Sequence, residues 1–241
     1  MTYCVGLLLH KGMVLLSDTR TNAGLDNIST YRKMFVFEVP GERVITILTA
    51  GSLSVTQTTI ARLHDAIDDP DATPETSILK AETMLKVAYI VGEALSSTRR
   101  EIDEKLAMMN QGATASMIVA GQRKGGGMRM FLIYPEGNFI EATEDTPFLQ
   151  IGEHKYGKPI LDRVVTPDTT LEDAQKAVLL SMDSTLRSNL SVGMPLDLCV
   201  IEKDALKVSM KRRIEAGDPQ FNAMSLAWSQ ALRDGFTRIV I

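Results

Sequence analysis

Four strand-like segments occupy the first 51 residues of the chain, before any helical pattern begins. The segments read TYCVGLLL, MVLLSD, KMFVFEV and RVITILTAG, and turn signals such as HKG and PGE stand between them. A doubly wound parallel sheet would need a helix between successive strands, because parallel neighbours require a long crossover connection. The opening block therefore favours antiparallel sheets.

Strand blocks and helix pairs alternate along the rest of the chain. Apolar residues at three- and four-residue spacing predict a helix over SVTQTTIARLHDAI, and then one long helix or two abutting ones over about 75–110. Strands return in ASMIVAGQ, GMRMFLIY, NFIEA and PFLQIG, and helices near 157–164 and in TLEDAQKAVLLSMDSTLRS. Strands LDLCVIE and LKVSMKR and a helix near 220–233 follow. This order predicts an α+β protein, a four-layer αββα sandwich in one domain over residues 1–241.

The overall charge and the cysteines exclude several classes of function. The formal net charge is −4, and the densest basic cluster is only residues 211–213, so we expect no nucleic-acid partner. Cys4 and Cys199 lie in apolar strand-like runs without metal-ligand spacing, which disfavours zinc and disulfides. The chain has neither a signal peptide pattern nor an apolar run of the ~20 residues that span a bilayer. We therefore expect a cytoplasmic protein without membrane contact.

Motifs for the common catalytic chemistries are missing from the sequence. GxSxG, HExxH, EF-hand loops, Walker A and GxGxxG do not occur, so no cofactor and no metal is expected. His10, His64 and His154 are interpreted as solvent-facing polar residues, and the glycine run 125–127 as a hairpin loop. A serine–histidine hydrolase therefore has little support.

The hairpin at the N-terminus brings a threonine near an aspartate. Pairing Leu9 with Met13 across the three-residue turn HKG places Cys4 opposite Asp18. Thr2 and Asp18 then lie on one face as diagonal neighbours, with Cβ atoms roughly 7–8 Å apart. A slip of one residue would place them on opposite faces, so the prediction depends on this register.

Thr2 directly follows the initiator methionine, and a small second residue permits removal of that methionine. The resulting residue would carry a hydroxyl nucleophile and an α-amine, which titrates near 7.7–8.0 and can act as a general base. Lys33 could then lower the cost of forming the alkoxide while Asp18 holds its ammonium. The N–H of Gly51, in the turn TAGS, could stabilise an oxyanion. The ordinary alternative is that Asp18 and Lys33 are surface charges.

These residues resemble the N-terminal nucleophile hydrolases of the proteasome β-subunit type. Thr2, the segment SDTRTNAG, Lys33 and the turn TAGS occur in the order and approximate spacing of that family. The segments MTYCVGLLL, ISTYRKM and LSMDSTLRSNLSVG are similar, more narrowly, to its bacterial ancestral β-subunit (Anbu) branch. The resemblance covers essentially the whole chain.

The resemblance implies an αββα sandwich, peptide-bond hydrolysis by Thr2, and assembly into homo-oligomeric rings or ring-like arrays. It implies that Thr21 and Thr49 flank the substrate strand and the first specificity pocket. Two stretches depart from the family pattern. QIGEHKYG lacks the serine of a Gly-Ser-Gly turn. The Asp-x-x-Ser-Gly element does not occur with its usual spacing in LSMDSTLRSNLSVG, and Ser191 is the preferred supporting residue there. Two alternatives stay open, namely an assembly or binding protein that keeps Met1 and catalyses little, and an enzyme restricted to one small amide or peptide conjugate.

Overall fold

The computed structural model describes residues 2–22, 28–106 and 112–240, and two five-stranded antiparallel sheets form the centre of this part of the chain. The strands are β1 Tyr3–Leu9, β2 Gly12–Asp18, β3 Arg20–Asn22, β4 Ile28–Thr30, β5 Met34–Val39, β6 Arg43–Gly51, β7 Ala115–Arg123, β8 Arg129–Ile133, β9 Phe139–Glu141, β10 Phe148–Gly152, β11 Leu196–Glu202 and β12 Met210–Ile214. The first sheet has the order β10-β1-β2-β11-β12 and the second β5-β6-β7-β8-β9, while β3 and β4 form a separate two-stranded ribbon.

In the described ranges, five α-helices lie outside the two sheets. They are α1 Leu53–Asp68, α2 Met84–Leu106, α3 Lys158–Val164, α4 Leu171–Ser188 and α5 Pro219–Arg238. Helices α1 and α2 lie against the second sheet, and α4 lies against β1 and β2 of the first. Thr170 caps α4, because its hydroxyl accepts a hydrogen bond from the Asp173 N–H.

Three apolar layers hold this arrangement together. Side chains such as Leu15, Leu48 and Ile118 fill the space between the sheets. A second cluster joins α1 and α2 to the second sheet, and a third joins α3, α4 and the start of α5 to the first. Strand β2 is buried along its whole length because it faces the other sheet on one side and α4 on the other. The predicted αββα sandwich is confirmed.

The register of the N-terminal hairpin differs from the predicted one by one residue. Leu9 pairs with Gly12 and Cys4 with Ser17, so the predicted pairing of Cys4 with Asp18 is wrong, and the loop is the two residues His10 and Lys11. Gly12 belongs to β2 rather than to the turn, since β11 runs so close to it that a side chain would overlap the Ile201 carbonyl oxygen. Asp18 therefore comes opposite the very start of β1.

Three element boundaries also differ from the predicted ones. The helix expected from about residue 75 begins at Met84, because residues 73–81 form successive turns stabilised by bonds such as Ser77 N–H to Thr73 O. The strand expected over LKVSMKR begins only at Met210, and α5 continues to Arg238. The predicted helix end at 107–110 lies outside the described residues, as does Met1. Within the described ranges, no helix has the length and apolar character needed to cross a membrane.

Candidate active site

Thr2 immediately precedes β1, and its backbone is fixed on its C-terminal side. Its residue surface is only 6 % exposed. The Thr2 carbonyl oxygen accepts a hydrogen bond of 2.7 Å from the Glu153 N–H, and the following N–H, that of Tyr3, donates to Asp18. Gly152 has a φ of +80°, and a side chain there would overlap the Thr2 carbonyl. Both polar groups of the Thr2–Tyr3 peptide are therefore bonded, which orients the Thr2 residue.

Asp18 ends β2 as a fully buried carboxylate with three hydrogen-bond donors around it. Its Oδ1 accepts from the Tyr3 N–H at 3.2 Å and from Lys33 Nζ at 2.8 Å. Its Oδ2 accepts from the Gly193 N–H at 3.2 Å. Burial raises the pKa of this carboxyl, and the Lys33 ammonium and the two N–H donors oppose that effect. Because a short ion pair and two N–H donors surround it, we describe Asp18 as ionised.

Lys33 immediately precedes β5 and carries its ammonium into the protein interior. Besides the Asp18 bond, Nζ donates to the Arg20 carbonyl at 2.6 Å. The Lys33 carbonyl accepts from the Thr49 N–H at 2.9 Å, which ties the lysine backbone to β6. The lysine side chain is 6 % exposed. A buried cation of this kind is tolerated because its partners replace the lost water.

Despite the shifted register, Thr2 lies beside Asp18, the carboxylate that also binds Lys33. On the predicted pairing, a slip of one residue would separate Thr2 from Asp18. In the structure the link between them runs through the backbone, since Asp18 Oδ1 bonds the N–H of the residue after Thr2. Asp18, Lys33 and the Thr2–Tyr3 peptide are therefore brought together.

The side chain of Tyr3 ties this end of β1 to α4 and β10. Its hydroxyl lies 2.5 Å from Ser181 Oγ and 2.6 Å from Gln150 Nε2. Burial raises the pKa of Tyr3 to about 12, although the two hydrogen bonds oppose the change. The neutral Tyr3 phenol therefore helps to fix the position of the backbone next to Thr2.

The other predicted residues lie around this centre at different depths. Gly51 ends β6 with a φ of +109°, and a side chain there would overlap the Thr114 carbonyl, so packing alone requires a glycine. Thr49 is buried and bonds Lys33, and Thr21 lies in β3 opposite Ser29. The backbone N–H of Ser191 donates to Asn189 Oδ1 at 2.9 Å. The catalytic and binding roles of these residues stay predictions.

The segment between α4 and β11, residues 189–195, contributes contacts that sequence reasoning missed. Gly193 bonds Asp18, and Arg20 Nη1 donates to the Leu190 carbonyl at 2.9 Å. Thr19 Oγ1 donates to the Pro195 carbonyl at 2.7 Å. In each contact the segment 189–195 uses a main-chain group, which cannot be recognised from the residue type. The glycine of SVG is the one sequence feature that indicates this segment. In the described ranges, no three His, Cys, Asp or Glu side chains form a group that could hold a metal ion.

The αββα sandwich with a threonine immediately before its first strand has the architecture of the N-terminal nucleophile hydrolases. Residues 2–201 match the family model described as "Proteasome subunit", and the chain belongs to that proteasome subunit family. A curated relative, the proteasome subunit beta of Haloquadratum walsbyi, is 24 % identical over 220 residues, which cover 89 % of this chain and 79 % of the relative.

Solved structures of Anbu are similar to this chain over nearly its whole length. A Gly-1 mutant of Anbu from Hyphomicrobium sp. strain MC1 is 48 % identical, with a TM-score of 0.93 and coverage of 100 % and 99 % of the two chains. Anbu, described as ancestral beta-subunit, from Yersinia bercovieri is 41 % identical, with a TM-score of 0.91 and coverage of 99 % and 98 %. A structure described as the helical assembly of the Anbu complex from Pseudomonas aeruginosa is 44 % identical, with a TM-score of 0.93 and coverage of 99 % and 97 %. The resemblance to the ancestral β-subunit branch is thereby confirmed.

Proposed function

We propose that this chain is a threonine-type N-terminal nucleophile hydrolase that cleaves peptide or amide bonds. Thr2 is the nucleophile after removal of Met1. One observation carries the proposal: a single buried oxygen, Asp18 Oδ1, accepts both the Lys33 ammonium and the N–H that follows Thr2. Replacing a buried ion pair by an apolar pair of similar volume is often neutral or stabilising, so stability alone does not explain this pair, and its position beside Thr2 supports a catalytic use.

The proposed reaction proceeds by acyl transfer in two steps. The Thr2 amine takes the hydroxyl proton as Oγ1 attacks the carbonyl carbon, and the Gly51 N–H stabilises the resulting oxyanion. The carbon–nitrogen bond then breaks and the leaving amine takes that proton, which leaves an ester on Thr2. Water hydrolyses the ester with the same amine as base. The Lys33 ammonium, held by Asp18, lowers the energy of the developing alkoxide in both steps.

The proposal includes substrate contacts and self-assembly. Thr21 lies on β3, beside the Arg20 carbonyl that binds Lys33, and we assign Thr21 and Thr49 to the substrate strand and first pocket. Ser191 is assigned as a supporting residue of the loop that reaches Asp18. The helical assembly described for the Pseudomonas relative supports a homo-oligomer, ring or ring-like, that restricts access to many Thr2 sites.

The test compares hydrolysis of fluorogenic peptides by the native protein and by Thr2→Ala and Thr2→Ser variants. The alanine variant has neither hydroxyl nor thiol at this position and should be inactive, while the serine variant retains a hydroxyl and should keep partial activity. Circular dichroism and the assembly size serve as controls for folding. Equal hydrolysis by native protein and Thr2→Ala would overturn the proposal.

A second candidate is an assembly protein that retains Met1 and catalyses little. The exposed apolar side chains at the end of α5, among them Phe236, favour a role in assembly independently of Thr2. Intact-mass measurement separates the candidates, because a chain that keeps Met1 has no free amine on Thr2. Mass loss of one methionine together with Thr2-dependent hydrolysis supports the enzyme, and retained Met1 without hydrolysis supports the assembly protein.

A further inference from the structure

Glu153 lies opposite Thr2 at one corner of the first sheet. Strands β10 and β1 pair in antiparallel register, and the pair at this end is Tyr3 with Gly152. The Glu153 N–H donates to the Thr2 carbonyl at 2.7 Å, which continues the register by one more pair. Directly opposite residues of an antiparallel pair have Cβ atoms roughly 4.5–5.5 Å apart, a distance that a glutamate side chain spans. The carboxylate of Glu153 is therefore attached within reach of Thr2.

The backbone nitrogen of Thr2 belongs to the β10 side of β1. In a hydrogen-bonded antiparallel pair the two residues exchange both of their bonds, so the N–H and the carbonyl of one residue face the same neighbouring strand. The Thr2 carbonyl faces β10, because it accepts from Glu153. The next N–H, that of Tyr3, faces the other way and donates to Asp18 of β2. The Thr2 nitrogen therefore lies on the side of Glu153, and the Tyr3 nitrogen on the side of Asp18.

The Glu153 carboxylate is half-buried and has no cation bound to it within the described part of the chain. Glutamates at the ends of other strands differ in this respect, since Glu141 pairs with Arg129 and Glu42 with Arg43. Burial makes a carboxylate more costly unless a donor or a cation replaces the lost water. A cation that appeared opposite Glu153 would therefore be bound there.

Removal of Met1 would create such a cation. While Met1 is attached, the Thr2 nitrogen is an uncharged amide. Once Met1 has left, the same nitrogen is an α-amine with an ordinary pKa of about 7.7–8.0, and most of it is protonated at pH 7. Processing would thus place an ammonium on the side of Thr2 that faces Glu153.

Other ionisable side chains lie on the elements that meet at Thr2. They are Tyr3 and Cys4 of β1, Asp18 of β2, Arg20 of β3, Lys33 before β5 and His154 after β10. Burial raises the pKa of the β1 phenol and thiol, which stay neutral. Asp18 and Lys33 neutralise each other in their 2.8 Å pair, and Arg20 donates to a carbonyl of the segment 189–195. His154 is exposed, with Nδ1 3.2 Å from the Gly152 carbonyl oxygen. Among these described groups, Glu153 is the carboxylate without a cation partner.

We propose that Glu153 is a positioning residue whose carboxylate binds the α-ammonium of Thr2 after Met1 has left and retains the proton on that amine. The inference rests on the proposed function, in which the same amine is the general base. An ammonium cannot take the proton of the Thr2 hydroxyl, so the base is available only after the amine has lost its own proton. Glu153 thereby sets the pH range in which Thr2 can attack.

The expected consequence is a higher pKa of the Thr2 amine. An opposite charge within about 4–6 Å favours the charged form of a titratable group, and for a half-buried partner we expect the pKa to rise by about 1. Since the ordinary value is about 7.7–8.0, the amine should lose its proton near pH 9. At pH 7 the fraction of free base is then about tenfold smaller than it would be without Glu153.

The first test titrates the Thr2 amine directly and needs no catalysis. The rate at which the amine reacts with trace dinitrofluorobenzene is measured over a range of pH values, with peptide mapping to locate the label on Thr2. The pKa obtained for the native protein should be about 1 higher than that for Glu153→Gln, which has the same shape and keeps the backbone bond to the Thr2 carbonyl. Equal values in the two proteins would overturn the inference.

Two further variants serve as controls for this titration. Glu144→Gln removes one exposed carboxylate near the opposite end of the β1–β2 hairpin, beside His10, and changes the net charge by the same amount. Its Thr2 amine should titrate as in the native protein. Glu153→Asp keeps a carboxylate on a shorter side chain, and the pKa of the amine should lie between the native and Glu153→Gln values. A pKa lowered equally by Glu144→Gln would mean that net charge, not the contact, is responsible.

The second test follows kcat/KM for a fluorogenic peptide from pH 6 to pH 10, because this ratio reports the pKa of an essential base in the free enzyme. Glu153→Gln should hydrolyse the peptide up to about 10-fold faster than the native protein at pH 7, and the two rates should converge towards pH 10. A residue that served only the structure would change the rate by the same factor at every pH. A pH-independent ratio of the two rates would therefore contradict the inference.

The two tests separate failure of this inference from failure of the proposed function. If Thr2-dependent hydrolysis occurs and Glu153→Gln leaves the pKa of the amine unchanged, the role of Glu153 is wrong and the proposed function stands. If the pKa differs as expected and no hydrolysis occurs at any pH, the contact is right and the proposed function is wrong. If intact mass shows that Met1 is retained, no Thr2 amine exists and both are wrong.

Discussion

The two ends of the β1–β2 hairpin carry charged clusters of similar composition in opposite environments. At the Thr2 end, Asp18 and Lys33 form a 2.8 Å ion pair that is almost completely buried. At the turn end, His10 lies 2.8 Å from Asp168 and 3.6 Å from Glu144, and more than half of each of these side chains is exposed. The sequence alone shows only charged residues at strand ends in both places. Burial, not residue type, distinguishes a candidate active site from a surface cluster.

The two clusters are buried differently because different segments cover them. The Thr2 end is enclosed by β6 through Thr49, by the segment 189–195 through Gly193, and by β10 through Gly152. The turn end meets two exposed loops, which supply Asp168 and Glu144. Water therefore screens the second cluster and not the first.

The largest effect is expected from breaking the buried pair with Lys33→Met. Removal of the lysine leaves Asp18 buried without its counter-ion, which should lower the free energy of unfolding by about 3–5 kcal/mol. Peptide hydrolysis should fall at least 100-fold, the scale of losing one electrostatic group of an active site. Urea unfolding and a fluorogenic assay measure the two effects.

The double variant Asp18→Asn with Lys33→Met separates the two effects. It removes both charges, so most of the lost stability should return while hydrolysis stays low. Recovery of activity together with stability would mean that the pair acts only through folding.

A smaller effect is expected from Tyr3→Phe, and it should depend on pH. The pKa of Tyr3 is about 12 in the folded protein and 10.0 for the unperturbed side chain, so the unfolded chain loses its phenol proton first as pH rises. The native protein should therefore lose up to about 2.7 kcal/mol of stability relative to Tyr3→Phe between pH 10 and pH 12. Urea unfolding of both proteins at several pH values tests this, and a constant difference would contradict the burial of the neutral phenol.

The smallest effect is expected at the turn end, with His10→Gln. The hydrogen bond to Asp168, followed by the contact with Glu144, raises the pKa of His10. A raised histidine pKa contributes stability that is present below the ordinary value of 6.5 and lost as pH rises through the folded value. The variant should match native stability at pH 8 and fall slightly below it at pH 5, as measured by thermal unfolding. An effect as large as that of Lys33→Met would remove the contrast between the two ends.

The arrangement of layers could be predicted from the sequence because strand blocks and helix pairs alternate clearly. The hairpin register could not be predicted, because the turn HKG is compatible with either pairing. The close approach of β11 to Gly12 decides between the two pairings. The predicted start of α2 is too early because the apolar spacing continues through the turns before Met84. Local patterns thus specify elements, and tertiary contacts set their ends.

The candidate site was predictable to the extent that it uses side chains of distinctive type. Thr2, Asp18 and Lys33 were named from their chemistry, and the structure brings Lys33, Asp18 and the Thr2–Tyr3 peptide together. The main-chain donors and acceptors of Arg20, Gly193 and Glu153 could not be predicted, because backbone groups are the same in every residue. Their positions become known only when the fold is known.

The claim that Thr2 is the nucleophile is tested by trapping the acyl ester on its side chain. The native protein is incubated with a peptide bearing an activated ester, quenched in acid, and examined by intact-mass and peptide-mapping mass spectrometry. We expect a chain without Met1 that carries one acyl group on Thr2, and no acyl group at this position in Thr2→Ala. A chain that hydrolyses peptides while it retains Met1, or an acyl ester that forms equally well in Thr2→Ala, would contradict the claim.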